Sequence, residues 1–304
     1  MALPPAPPFD PRHGEAVPVA PDVVRVTADN GGPFTGAGTN SYIVGTGTLA
    51  VIDPGPDDAA HLAALRAAIG GRPVSHVLVT HTHVDHSPLA RVLAGETGAS
   101  VLAEGPHRAA RALHEGERNA MDASADLAFA PDRRLADGER VEGDGWVLTA
   151  VHTPGHTANH CAFAVDGGPL LPGDHVMAWA TSIVAPPDGS MADYMASLDA
   201  LLARQEAGLD ARYLPGHGGP VENPRAFVRA LKAHRLMRER AVLERLRAGD
   251  RTIRAMVAVI YRTTDARLHG AAALSVLAQL EAMVERGTVR ADRPPSLDAL
   301  YEPA

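Results

Sequence analysis

The chain has 304 residues, 45% of them hydrophobic and 21% charged, with 36 acidic against 28 basic side chains and a net charge of −8. This is the composition of an ordinary globular protein, long enough for one large core or two modest ones. No stretch approaches the roughly 18–20 uninterrupted apolar residues of a membrane span, so no membrane partner is expected, and the single cysteine, Cys161, excludes an internal disulfide and fits a reducing cytoplasm.

In chain order, residues 1–22 form an arm holding seven prolines, with neither a basic start nor an apolar core, so they do not read as a signal peptide. An extended surface arm is expected there. Short β-like runs follow at 23–27, 40–44, 49–52, 76–79, 100–103, 146–151, 160–165 and 212–214, rich in Val, Ile and Tyr and bounded by Gly, Pro and Asp. Helical spacing appears at 57–69, closed by Gly70-Gly71, and at 87–94 and 191–206. Strands mixed with helices predict an α/β layered catalytic domain over 23–222. Beyond it, helices are expected at 224–247, 252–261 and 271–286, with a short strand or wing at Gly287-Thr288-Val289, giving a small winged-helix-like domain over 223–304. Residues 224–304 carry 15 Lys/Arg against 9 Asp/Glu, a net +6, which leaves −14 for the rest. Such a tail either docks on the acidic body or meets an anionic partner.

The chemistry concentrates in His81-Thr82-His83-Val84-Asp85-His86, directly after the apolar run Val77-Leu78-Val79. Imidazoles bind zinc well, and a carboxylate adds a harder oxygen ligand. Four such groups cannot all point at one ion from so short a loop, so the spacing points to two adjacent metals. A pair of this kind makes hydroxide at neutral pH and clamps an oxyanion. Three later islands repeat the design of a ligand beside glycine after an apolar run: Thr153-Pro154-Gly155-His156, Leu171-Pro172-Gly173-Asp174 and Leu214-Pro215-Gly216-His217.

This ordered set resembles the metallo-β-lactamase fold hydrolases over roughly residues 23–218. The resemblance implies a four-layer αβ/βα sandwich with the metals at one sheet edge. It also implies two Zn²⁺ ions: His81, His83 and His156 on the first, Asp85, His86 and His217 on the second, and Asp174 bridging. Asp85 and Asp174 are then the catalytic carboxylates, acting with a metal-bound hydroxide. Ligand type alone leaves iron or manganese open. Asp53 resembles the family's acidic residue beneath the site and is a candidate partner for a ligand histidine, as is His160, four residues after His156. Cys161 is expected to pack in the core.

Three further features, Gly38–Gly45, the Asp193–Leu198 helix and the helical tail, resemble the lactamase-β-2-like branch with its C-terminal winged helix. That likeness implies cleavage of single-stranded RNA as one activity. Against it stand the acidic body and an aromatic content of 4%, which leaves few stacking platforms. Hydrolysis of a small ester or thioester, in the manner of hydroxyacylglutathione hydrolases, is the alternative, with residues 29–39 and 177–188 forming an apolar pocket. β-Lactam hydrolysis belongs to the same class. A non-enzymatic winged-helix binding protein is disfavoured because all seven ligand types are intact. The apolar helical tail is compatible with a homodimer.

Overall fold

The computed structural model describes Pro4 and residues 8–304. Its first sheet has seven strands in sequence order: β1 (Val17–Ala20), β2 (Val23–Thr27), β3 (Asn40–Val44), β4 (Leu49–Ile52), β5 (Val74–Val79), β6 (Ser100–Ala103) and β7 (Arg133–Arg134). Pairing is antiparallel as far as β4 and parallel from β4 to β7. The change follows from the connections, because β4–β5 and β5–β6 are joined by the helices α1 (Ala59–Ile69) and α2 (Leu89–Thr97), and parallel neighbours need such crossovers. Asp58 caps α1 by accepting the His61 N–H at 2.7 Å, and Gly70, at φ 62°, ends it.

Side chains alternate across this sheet as a two-residue period demands. Leu49, Val51, Val77, Val79 and Val101 face α1 and α2, while Ala50, Ile52, Leu78 and Leu102 face inward. The inward set meets Leu148, Phe163 and Leu171 from a second, antiparallel sheet of order β11-β10-β9-β8. Those strands are β8 (Arg140–Gly143), β9 (Trp146–His152), β10 (Cys161–Val165) and β11 (Leu170–Leu171). Full burial of a side chain such as Leu78 or Phe163 is worth roughly 1.5–3 kcal/mol. The outer face of this sheet, through Val151, Ala162 and Ala164, is covered by α3 (Met191–Glu206) and α4 (Pro224–Arg247). Helix, sheet, sheet and helix make the four layers.

The tail adds α5 (Ile253–Ile260), α6 (His269–Glu285) and a hairpin of β12 (Val289–Ala291) with β13 (Tyr301–Pro303). Its own core gathers Val242, Leu246, Met256, Val276, Leu280 and Tyr301. The helices α4 and α6 belong to both cores. Phe227 and Leu231 of α4 and Ala278 and Ala282 of α6 pack on the body, so the two domains share continuous helices rather than meeting at a linker. Tail-to-body ion pairs reinforce this, with Lys232 on Asp199 and Arg225 and Arg229 near Glu206.

Besides shifted element ends and the short strands β7, β8 and β11, which the sequence reading lacks, the structure departs from it at four places. Residues 17–20 of the proline arm form an edge strand on β2, where Pro18 is tolerated because edges leave donors unpaired. Residues 212–214 form no strand; Tyr213 makes only single bridges to Leu170 and Val221. β10 begins at Cys161, leaving His160 just outside it, and the wing finds its partner in Tyr301–Pro303. Cys161 is fully buried between the sheets. Among the described residues no helix is long and apolar enough to cross a membrane.

Candidate metal site and its pocket

Each ligand island follows the end of a strand: residues 81–86 after β5, His156 after β9 and Asp174 after β11, with His217 just beyond the Tyr213 bridge. The fold brings the seven side chains together. All are buried except Asp85, whose side chain keeps 20% exposure. Gly216 lets its loop approach, because a Cβ there would lie 2.7 Å from Asp174 Oδ1 and 2.8 Å from His86 Cε1.

The spacing of donor atoms tests whether metals fit. Two ligands at about 2.0–2.1 Å from one tetrahedral ion lie roughly 3.3 Å apart. His83 Nδ1 is 3.0 Å from His81 Nε2 and 3.1 Å from His156 Nε2. In the second group, His86 Nε2 is 3.4 Å from His217 Nε2 and 3.3 Å from Asp85 Oδ2, which is 3.2 Å from His217 Nε2. Asp174 reaches both sets, at 3.5 Å from His86, 3.4 Å from His217 and 3.8 Å from His156. Its Oδ1 is buried without a hydrogen-bond partner. An orphaned buried carboxylate oxygen among converging imidazoles fits a divalent cation and little else.

The remaining nitrogens of most ligand histidines are held by neighbours. His156 Nδ1 faces Ile183 O at 2.6 Å and His217 Nδ1 faces Gly38 O at 3.1 Å, so each carries its proton there and turns the Nε2 lone pair inward. Asp53 holds two ligands at once. Its Oδ2 accepts from His86 Nδ1 at 2.9 Å and from Thr80 Oγ1 at 2.7 Å, and Thr80 Oγ1 accepts from His81 Nδ1 at 3.0 Å. The left-handed φ of 48° at Asp53 is strain that these bonds and the Thr80 N–H (2.7 Å to Oδ1) retain. His160 Nε2 accepts the Asp174 backbone N–H at 3.2 Å, so its Nδ1–H donates to Thr153 Oγ1 at 2.8 Å. It positions Asp174 through the main chain. Thr39 Oγ1 donates to Asp85 at 3.0 Å.

Electrostatics divide the cluster. Burial pushes His81 and His160 far below the usual imidazole range, His156 below it and His83 down to about 3, which favours neutral rings. Burial acts on His86 and His217 in the same sense, but the nearby carboxylates Asp85 and Asp174 override it, raising His86 strongly and His217 to about 10. Both carboxylates are held low against their own burial by those imidazoles. Two acids thus face two imidazoles across the site, and binding a metal there is linked to proton release.

Above the cluster lies a cavity of about 400 Å³. His83, Asp85, His156, Asp174 and His217 form its floor, and Phe34, Val84, Met121, Met177, Ile183 and Leu274 its walls. Thr35, Ser124 and Ala271 complete the lining, which includes no Lys or Arg. Phe34 and Val84 are 55% and 42% exposed, so the mouth is apolar too. Phe34, Met177 and Ile183 fall in the two segments expected to form a pocket. Met121, Ser124 and the α6 residues Ala271 and Leu274 were not anticipated, because neither an irregular loop nor a helix face in another domain signals its approach in sequence. Trp179, expected in this pocket, lines the adjoining cavity instead. His175 is fully buried against the Tyr194 ring, 4.4 Å between centroids, and lines no part of the pocket.

A αβ/βα sandwich with a His/Asp cluster at its strand ends defines a metal-site hydrolase, and comparison with known proteins identifies which kind. The model of the metallo-beta-lactamase superfamily matches residues 34–217, and that of the beta-lactamase associated winged helix domain matches residues 252–294. The chain belongs to the metallo-beta-lactamase superfamily and is a hydrolase. It is 29% identical over 283 residues to the beta-lactamase-like protein 2 homolog of Drosophila melanogaster, covering 89% of this chain and 90% of that one. It is 28% identical over 245 residues to an atrochrysone carboxyl ACP thioesterase of Cryptosporiopsis sp., covering 78% and 67%. The crystal structure of a metallo-beta-lactamase family protein from Thermus thermophilus superposes with a TM-score of 0.74 at 26% identity, over 93% of this chain and 99% of that one.

Proposed function

We propose that the protein hydrolyses thioesters of small to medium acyl groups at a two-zinc centre. His81, His83 and His156 would hold one ion and Asp85, His86 and His217 the other, with Asp174 within reach of both groups. The observation that carries the substrate class is the apolar, cation-free cavity directly above the ligand floor. An acyl chain gains by leaving water for walls such as Phe34, Met121, Met177 and Leu274. A nucleic acid needs a run of phosphate-neutralising cations along its path, and the cavity over the floor has none, the nearest being Arg235 and Arg238 of the adjoining cavity. The similarity to a relative named as a thioesterase supports the same reading.

Bound in the cluster, a metal pair supplies a nucleophilic water at neutral pH and polarises the carbonyl it attacks. The chain's own residues do the rest. Asp85, held by Thr39, and Asp174, held through His160, fix carboxylate oxygens at the floor. Asp53 and Thr80 lock the rings of His86 and His81, so the donor set needs little reorganisation. The walls exclude bulk water and set the acyl group over the floor.

The test is hydrolysis of acetyl-, butyryl- and hexanoyl-pantetheine by zinc-loaded protein, with Asp174→Ala purified identically and a labelled single-stranded RNA run in parallel. Turnover of thioesters by the parent alone is expected. RNA cleavage without thioester turnover would reverse the assignment.

A further inference from the structure

Beside the metal pocket lies a second cavity of about 340 Å³, between the body and the tail. The two adjoin, with Phe34, Met177, Ile183 and Ala271 lining both. The second differs in its chemistry. Its lining includes Arg235 and Arg238, one turn apart on α4, and no Asp or Glu. Arg235 is only 5% exposed, and its guanidinium lies 5.0 Å from the Tyr194 ring centroid and donates to Ser182 O. Arg238 stands 4.6 Å over Tyr261 and donates to Ile260 O at 3.2 Å.

These contacts orient the two guanidiniums without neutralising either. Among the described residues neither has a carboxylate within 4.0 Å, although eight of the tail's other basic residues do. Four buried nitrogens on this lining have no hydrogen-bond partner: Arg235 Nε, Arg238 Nε, His234 Nδ1 and Trp179 Nε1. The helix α6 also begins here, at Leu268, Ala271 and Ala272, with no side-chain cap and no acid in its first turn. Burying the Arg235 cation without a carboxylate is costly, and an anion in the cavity, between it and the half-buried Arg238, offsets that charge. His234 is held to about 4 by burial and then by its arginine neighbours, so it enters as a neutral ring.

We propose that this cavity binds the phosphate of a phosphopantetheinyl thiol, with the acyl half of the same thioester over the metal floor. The proposal rests on the thioester reading for the identity of the acyl half. Guanidinium forks match phosphate oxygens bidentately, and two of them surround a phosphate group with at least the positive charge it needs for neutralisation. Glutathione, another thiol partner, carries an ammonium, for which the cavity offers no carboxylate. Coenzyme A and a carrier protein share the phosphopantetheine arm.

The experiment measures binding of non-hydrolysable thioethers to the zinc-loaded protein by calorimetry: S-butyl-coenzyme A, S-butyl-4′-phosphopantetheine and S-butyl-pantetheine. The two phosphorylated probes should bind at least about tenfold more tightly than the third, as loss of a charge-assisted contact predicts. In Arg238→Ala that gap should close, in Arg238→Lys reopen in part, and in Arg267→Ala, an exposed arginine outside the cavity, persist. A gap for S-butyl-coenzyme A alone would overturn the arm phosphate as the recognised group. Equal binding of all three probes would overturn the proposal, as would a gap undiminished in a folded Arg238→Ala, or Arg238-dependent binding of S-butyl-glutathione or single-stranded RNA instead. Turnover of butyryl-coenzyme A against butyryl-carrier protein then separates the two sources. Hydrolysis of the phosphate-free pantetheine thioesters tests the thioester reading by itself, so the two failures are distinguishable.

Discussion

The floor of the pocket is built from side chains at strand ends, whereas its wall is built from two loops and a helix of another domain. The ligand residues other than Asp85 are buried, and most of the ligand histidines have their second nitrogen fixed by a named neighbour such as Asp53, Ile183 or Gly38. The wall residues Phe34 and Val84 are exposed, and Met121 sits in a segment whose only regular structure is one turn of 3₁₀-helix, Asp122–Ser124. Rigidity where bonds are made and adaptability where substrates are chosen is a division the sheet edge makes easy. It also means that floor and wall should fail differently when altered.

The largest effect should come from the floor. Asp174→Ala removes the one carboxylate that reaches both ligand groups. Turnover should fall by on the order of 10³-fold or more, because charge stabilisation at both ions is lost together. Metal analysis beside kinetics checks this, with bound zinc expected to drop below two ions. Near-normal kcat in a folded variant would remove the two-metal mechanism.

One layer out, Asp53→Ala leaves every ligand in place but frees the rings of His86 and His81. Zinc affinity should fall roughly 10–100-fold, as for other partners of ligand histidines. Competition with a chromophoric chelator measures it. An unchanged affinity would demote Asp53 to a turn residue, and Asp53→Asn, which keeps an acceptor for His86, should recover part of the loss.

The contrast between floor and wall is also a contrast in what the sequence discloses. Residues 81–86 and the three Pro-Gly islands each follow a short apolar run, so the islands were legible locally, while their convergence at one sheet edge was implied by the family resemblance and not by the runs, of which residues 212–214 form no strand. The alternation of Leu49, Ala50, Val51 and Ile52 between two faces is equally local, and the layered α/β fold follows from it. Leu274 carries no such signal. It is one leucine in an amphipathic helix, and only the shared packing of α6 on both cores turns it over the metal site. β1 and β13 stayed hidden for a related reason: three- or four-residue edge strands containing proline are defined by their partners rather than by their own pattern.

If the wall selects the acyl group, Leu274→Ala should leave zinc content intact and change the chain-length preference. The ratio of kcat/KM for hexanoyl over acetyl thioesters should shift by about tenfold, the usual worth of a methylene or two in an apolar pocket. An unchanged ratio would assign selection to Phe34 and Met177 alone.

The smallest effect concerns what holds the wall in place. Arg111, on the irregular segment that also carries Met121, donates to Glu281 of α6 at 2.7 Å and to Glu117 at 2.7 and 2.8 Å. Glu281 has its carboxyl pushed up, first by burial and then by Glu117 and Glu285, with Arg111 pulling the other way. Arg111→Ala removes the only opposing cation among those groups and raises that carboxyl further. A folded pKa above the unfolded one means that stability present at low pH is lost as pH rises through the folded value. The variant should therefore be less stable than the parent by on the order of 1–2 kcal/mol near pH 8, where Glu281 stays charged without a partner. The gap should narrow towards pH 5 as the carboxyl accepts a proton. Thermal melts of both proteins across that range measure it. A gap that is constant with pH would mean that Arg111 contributes packing of its stem and not neutralisation of α6, and that the wall is tied to the body through Ala278 and Ala282 instead.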